Sequence, residues 1–360
     1  MSEPLVVIVT TTIQPPTLAT KRFCRISDDN AWPFIVVGDT KTPHKLYEEL
    51  EMKYPHFTYL HPDHQEANYM KLSDTIGWKT IQRRNVGFVY AYHTFPNATW
   101  IATIDDDNIP HDGWGDELTE DQDIWALNLG PAEVYDPLAC ARIEDRHTPS
   151  ENRLNGPSSL WHRGFPLQHR EDRYDQWFRA RSDKTIEHTY NGLTGFDDNE
   201  DIGVYAPMWD GDPDIDAMCR ITFEPDIRIS IDGDRLGFYA NTLAPFNSQN
   251  TFIKRKWIPY YAVLPHVGRM DDIWGGYHLQ KVMRQLRGEA AKVVYGKPTV
   301  TQERNEQDLI TNLEKEVIGY RHTLDFINEP LDDTLLLPDV DYIPENTKAF
   351  YKVYIDSFDV

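Results

Sequence analysis

Three apolar, β-branched runs constrain this chain most: Leu5-Val6-Val7-Ile8-Val9, Pro33-Phe34-Ile35-Val36-Val37 and Ala98-Thr99-Trp100-Ile101-Ala102-Thr103-Ile104. They do not alternate, which is the pattern of strands buried on both faces. Each ends abruptly in polar residues: Thr10-Thr11-Thr12, Gly38-Asp39 and Asp105-Asp106-Asp107-Asn108. Between them lie helix signals. Pro16-Thr17 opens a helix to about Ile26, and a second runs from about Pro43 to Lys53 ahead of the short strand Phe57-Thr58-Tyr59-Leu60. Ile81, Phe88, Tyr92 and Phe95 then recur at helical spacing within residues 79–95. Strand–helix alternation over the first 110 residues predicts an α/β domain with a mostly parallel central sheet flanked by helices. Such sheets bind ligands at the carboxyl ends of their strands, where the polar endings fall.

Beyond residue 110 the pattern loosens. Residues 123–129 read as another strand, and residues 145–234, rich in Arg, Trp, Gly, Pro and Asp, read as long functional loops. A helix follows Asp272. Another carries Leu309, Leu313, Val317, Tyr320, Leu324 and Ile327 as one apolar stripe and should dock on the core. From about Glu329 the chain reads as an extended wrap or tail. With 58 Asp+Glu against 36 Lys+Arg, the formal net charge of −22 repels a nucleic-acid backbone at long range. There is no run of 18 apolar residues and no signal-like N-terminus, so no membrane association is expected and the cytoplasm is the expected location. Cys24, Cys140 and Cys219 have neither zinc-ligand nor disulfide-framework spacing and should be reduced and buried.

Three consecutive carboxylates closing a buried strand repel one another and call for compensating cations. Mn²⁺ or Mg²⁺ takes hard oxygen ligands and keeps positions open for phosphates, so Asp105 and Asp107 are the candidate metal ligands; an acidic surface turn or helix cap is the alternative. Thr10, Thr11, Thr12 and Asp39 end strands where they could bind a base and ribose, although Asp39 could equally cap a turn. Arg83, Arg84 and Asn85 could reach a diphosphate, or Arg83 and Arg84 could be solvated surface. Asp271 and Asp272, between Gly268-Arg269 and Gly275-Gly276, could supply a general base or an N-cap. The four acids of Trp209-Asp210-Gly211-Asp212-Pro213-Asp214-Ile215-Asp216 could bind a sugar or a cation, but read first as capping a turn. His147, His162, His169, His188 and His266 lack metal-ligand spacing, and no Walker or nucleophile-elbow motif occurs.

Taken together, Val9 to Ile13, Val36 to Pro43, Arg84 to Phe88, Asp105 to Asn108, Asp210 to Ala217 and Thr301 to Asn305 resemble the STELLO glycosyltransferase-like family. More distantly, Ile104 to Asp107, Arg163-Gly164-Phe165-Pro166 and Gly268 to Trp274 resemble the reversibly glycosylated polypeptides that include UDP-arabinopyranose mutases. The resemblance implies a GT-A, Rossmann-like fold with long acceptor-side loops and a C-terminal helix. It divides into a domain over residues 1–295, with 1–110 the nucleotide-binding half and 111–295 the acceptor half, followed by a C-terminal helix and tail over 296–360. It implies transfer of a sugar from a nucleotide-sugar donor, UDP-linked by expectation, to a hydroxyl acceptor. Asp105 and Asp107 would hold the metal; Thr10 to Thr12, Asp39, Arg83, Arg84, Asn85, Asp106 and Arg269 would surround the donor. Asp272 is the first choice of base, with Asp271 its alternate, and Arg163 matches the arginine glycosylated in the mutases, which makes it a candidate for sugar attachment or for binding a donor phosphate. Gln302 stands near a position where the mutase-like pattern has His. The alternatives are a pyranose/furanose mutase, a non-catalytic scaffold, and a transferase acting on modified DNA through Arg163, Arg170, Arg173, Arg179, Arg181 and Lys184.

Overall fold

The computed structural model describes residues 5–119, 122–145, 156–182, 186–191, 193, 201–223, 225–231, 235–288, 291–304 and 306–359. The apolar runs form β1 (Val6–Thr12), β2 (Phe34–Gly38), β3 (Phe57–Leu60) and β4 (Trp100–Ile104), and β2 and β4 are buried throughout. These four are parallel, in the order β3-β2-β1-β4. Their crossovers are α1 (Leu18–Asn30), α2 (His44–Lys53), and α3 (Pro62–Ile76) with α4 (Arg84–Thr94). The sequence reading lacked α3, whose buried side is thin: Pro62, Gln65, Leu72, Ser73 and Ile76.

Past Asp105 the sheet continues as a mixed one. β5 (Asn108–Pro110), β6 (Asp123–Leu127), β7 (Arg142–Asp145), β8 (Ile186–Asn191), β9 (Asp201–Gly211), β10 (Ile227–Ser230), β11 (Arg235–Ala240), β12 (Asn250–Lys254) and β13 (Ala291–Gln302) complete thirteen strands among the described residues. β12 joins the halves, antiparallel to both β4 and β9, and β13 lies between β9 and β11. Within the stretch read as loops, β9 is therefore a central strand, and β13 runs through the expected boundary at 295/296. Both were hidden by breaks in their apolar pattern, Gly203 and Pro207 in β9 and Gly296 and Pro298 in β13. Short helices α5 (Pro137–Cys140), α6 (Arg173–Ala180) and α7 (Ala217–Thr222) accompany this half.

The long helices α8 (Asp271–Arg287) and α9 (Leu309–Asn328) precede α10 (Glu345–Asp356), which forms where a wrap or tail was expected. It tethers the segment feeding α8: Tyr351 donates to the Tyr260 carbonyl, Tyr354 to those of Ile258 and Tyr261, and Thr347 to that of Pro265. Cys24 and Cys219 are buried, Cys140 partly so, and all three thiols are free. No helix among the described residues is long and apolar enough to cross a membrane.

Candidate functional site

The carboxyl ends of β1, β2 and β4 converge as expected, but many of their polar side chains bond to one another. Thr10 donates to the Ile104 carbonyl and Thr11 to that of Val37, both at 2.8 Å, while Thr12 donates to the Asp106 carboxylate. Asp39 is buried and accepts from the backbone N–H groups of Lys79 (2.6 Å) and Thr80 (3.2 Å), fixing that loop. Arg83 is buried over the Trp78 ring and donates to Gln65, Ser73 and Gly77; burial lowers its pKa to about 10. Asn85 splices to Val263 through both its amide atoms. Thr10, Thr11, Thr12, Asp39, Arg83, Asn85 and Asp106 thus each make hydrogen bonds within the protein. Arg84 is equally occupied. It pairs with Asp105 and donates to Thr103 and Ser248, supplying from inside the protein part of the positive charge the acid triplet requires.

Beside these strand ends lies a polar cleft of about 560 Å³, the size of a small-ligand site. Asp105 and Asp107 line it, as do Arg163, Arg269, Asp271 and Asp272. Burial, together with the charge of Asp105, raises Asp107 to about 7; against this stand Arg304 and a 3.4 Å hydrogen bond from Gln302. Asp106 is also raised by burial. No group of three or more His, Cys, Asp or Glu side chains among the described residues is arranged to hold a metal ion.

Arg163 occupies a carboxylate cage. Its Nε donates to Asp214 at 2.8 and 2.9 Å, its Nη2 to Asp272 at 2.9 and 3.2 Å, and its Nη1 to the Arg269 carbonyl. Burial opposes its charge, but Asp214 and Asp272 outweigh that and hold its pKa well above the ordinary value. All three guanidinium nitrogens of Arg163 are engaged within the protein. Asp272 accepts four hydrogen bonds, two from Arg163 and two from the Ser248 amide and hydroxyl, at 2.9 and 3.1 Å. That fills a carboxylate's acceptor capacity. Among the described residues Asp271 accepts hydrogen bonds from Gln82 at 2.8 Å and the Asp272 amide at 3.0 Å, and its side chain is more exposed, 13% against 6%. Burial and the neighbouring Asp272 raise it to about 7, the range suited to a general base.

Sequence reading passed over Asp214 as part of a turn. It is buried and pairs with Arg163, Arg269 and Arg304, which hold its carboxyl well below the usual range against the opposing effect of burial. Its neighbours do serve the turn: Asp216 caps α7 and Asp212 pairs with Arg220. Arg304 on the cleft was also missed, although Thr301 to Arg304 had been singled out; Asn305 lies outside the described residues. Of the arginines conceived as a basic surface for DNA, Arg170 is exposed and the others are engaged within the protein. Arg163 and Arg173 are buried against Asp214 and Asp136, Arg179 pairs with Asp175, and Arg181 donates to the backbone carbonyls of Ala139, Ala141 and Trp177. Lys184 and His147 lie outside the described residues.

No protein-family model and no curated protein matches the chain, so the STELLO-like and mutase resemblances rest on the motifs quoted above. Solved structures align with it, among them two of one enzyme. Glucosyl-3-phosphoglycerate synthase from Mycobacterium tuberculosis in complex with Mn²⁺ and UDP-glucose is 10% identical, with a TM-score of 0.39, over 88% of this chain and 78% of that one. The same synthase in complex with phosphoglyceric acid is 10% identical, with a TM-score of 0.37, over 92% and 82%. Similarity at this level names neither donor nor acceptor for the present chain.

Proposed function

We propose that this chain is a metal-assisted glycosyltransferase of GT-A type that takes a nucleoside-diphosphate sugar, UDP-linked in the first instance, and passes the sugar to a hydroxyl acceptor. One juxtaposition carries the reading: two acids of one cleft, Asp107 after a parallel strand and Asp271 at the start of α8, are both raised to about 7 by burial. The first suits a cation and the second suits a base. The donor set fits a hard divalent ion: Arg84 engages one oxygen of Asp105, Asp107 has a single long hydrogen bond to its side chain, and buried Asn108 at the same turn leaves Oδ1 without a partner among the described residues. A cation held by Asp105 and Asp107 would supply charge neutralisation for a bound diphosphate.

The chain's own residues do the rest. Arg269 and Arg304 face the negative charge that builds on the leaving diphosphate. Asp271 takes the proton of the acceptor hydroxyl at its carboxylate, and Arg163 keeps Asp271 and Asp272 in place by charge. The test is incubation with a panel of nucleotide sugars and Mn²⁺, with and without chelator, followed by NMR of the products. Chelator-sensitive release of nucleotide with a new glycosidic product supports transfer. Ring interconversion without an acceptor would establish a mutase instead, and failure to bind any nucleotide sugar would leave a scaffold.

A further inference from the structure

The stripe expected on α9 packs only in part, with Ile327 its one buried member. Leu309 and Val317 are exposed, Leu313, Tyr320 and Leu324 are half-buried, and the buried face is Glu316, Gly319, Thr323, Phe326 and Ile327. Gly319 lets the Met270 side chain lie where a Cβ would stand, which brings α9 onto the segment leading into α8. This rotation puts a glutamate, 0% exposed, where the periodicity offered leucines. A buried carboxylate is costly unless fully partnered. Glu316 is partnered: Oε1 accepts from Arg269 Nε at 2.8 Å, and Oε2 accepts from the Ala217 amide at 2.9 Å and the Tyr320 hydroxyl at 3.0 Å. The Tyr320 hydroxyl also lies 3.1 Å from Asp216 Oδ1, and its one proton serves one carboxylate at a time.

Arg269 is the group this network aims. It lines the cleft, its Nη2 stands 3.5 Å from Asp214, and its Nη1 has no hydrogen-bond partner among the described residues. Asp214 already serves Arg163 and Arg304 and would draw Arg269 inward were its Nε released. We propose that Glu316 is a positioning residue: it holds Arg269 by Nε so that Nη1 remains available in the cleft as an anion receptor, with Tyr320 and Asp216 fixing Glu316 in turn. The identity of the anion as a donor diphosphate rests on the function proposed above; the positioning does not.

The test is calorimetric binding of inorganic diphosphate with excess Mg²⁺ to the full chain and to Glu316→Gln, Arg269→Ala, the double variant and Tyr320→Phe. Glu316→Gln keeps the shape and removes the charge. It should weaken binding roughly tenfold, the scale of one charge-assisted hydrogen bond, while the double variant binds no worse than Arg269→Ala. Tyr320→Phe, which removes a single hydroxyl, should weaken binding in the same direction by a smaller factor. Wild-type affinity in Glu316→Gln, an equal loss in the Arg269→Ala background, or no diphosphate binding by the wild type overturns the inference. Turnover of nucleotide sugars, measured on the same wild-type sample, decides the proposed function separately. A four-way binding pattern as expected without turnover keeps the positioning role and removes the transferase; turnover with no effect of Glu316→Gln on binding does the reverse.

Discussion

Asp271→Asn removes the proposed base while keeping its size and the ability of its side-chain oxygen to accept from Gln82. Positioned proton transfer contributes about 10²–10⁴-fold in rate, so kcat should fall by that factor while the donor KM changes little. The pH profile gives a sharper signature. With Asp271 at about 7, its ionised fraction climbs from roughly one-tenth at pH 6 to roughly nine-tenths at pH 8, and wild-type kcat/KM at saturating metal should rise about tenfold over that interval. The residual activity of Asp271→Asn should be flat there. The assay is steady-state nucleotide release across pH 5.5 to 8.5, using whichever donor the panel identifies. Wild-type kcat in Asp271→Asn, or an unchanged pH slope, would refute the reasoning and return the role of base to another group.

Asp272→Asn should act on the fold. Removing one anion from the Arg163 cage leaves a buried charge undercompensated, and breaking a buried pair costs about 3–5 kcal/mol, so thermal melting should show a large loss; an unchanged midpoint would contradict the cage. Asp216 gives stability an unusual pH dependence. Burial and Glu316 raise its carboxyl to about 7, so between pH 4 and 7 the folded chain keeps a proton that the unfolded chain has released, and stability falls as pH rises through that window. At about 1.4 kcal/mol per pH unit, Asp216→Asn should gain about 3 kcal/mol on wild type between pH 5 and pH 8 while still capping α7. Denaturant melts at the two pH values check this, and a difference that shrinks with pH would have the wrong sign.

What was legible in the sequence was what repeats locally. Uninterrupted apolar runs announced β1, β2 and β4, and their polar endings announced where the site would lie. The strands β9 and β13 stayed hidden because Gly203, Pro207, Gly296 and Pro298 break the pattern that would have marked them. The site was legible in position but less so in role. Thr12, Asp39, Arg83 and Arg84 stand where ligand-binding groups stand, but each is matched by a partner far away in the chain, and only the fold reveals the match. Arg163 and Asp214 are 51 residues apart, and Arg163 and Asp272 are 109 apart. The same blindness misassigned α9: counting apolar residues gives the stripe through Leu313 and Val317, whereas a buried glutamate is tolerated only because Arg269, Ala217 and Tyr320 meet it.

The most direct measurement is anomalous diffraction at the manganese edge from crystals soaked with Mn²⁺ and UDP. A manganese peak within coordination distance of Asp105 and Asp107, bridged to the diphosphate and lost in Asp107→Asn, is the predicted result. Nucleotide bound elsewhere, or bound in this cleft with no metal beside either carboxylate, would contradict the account.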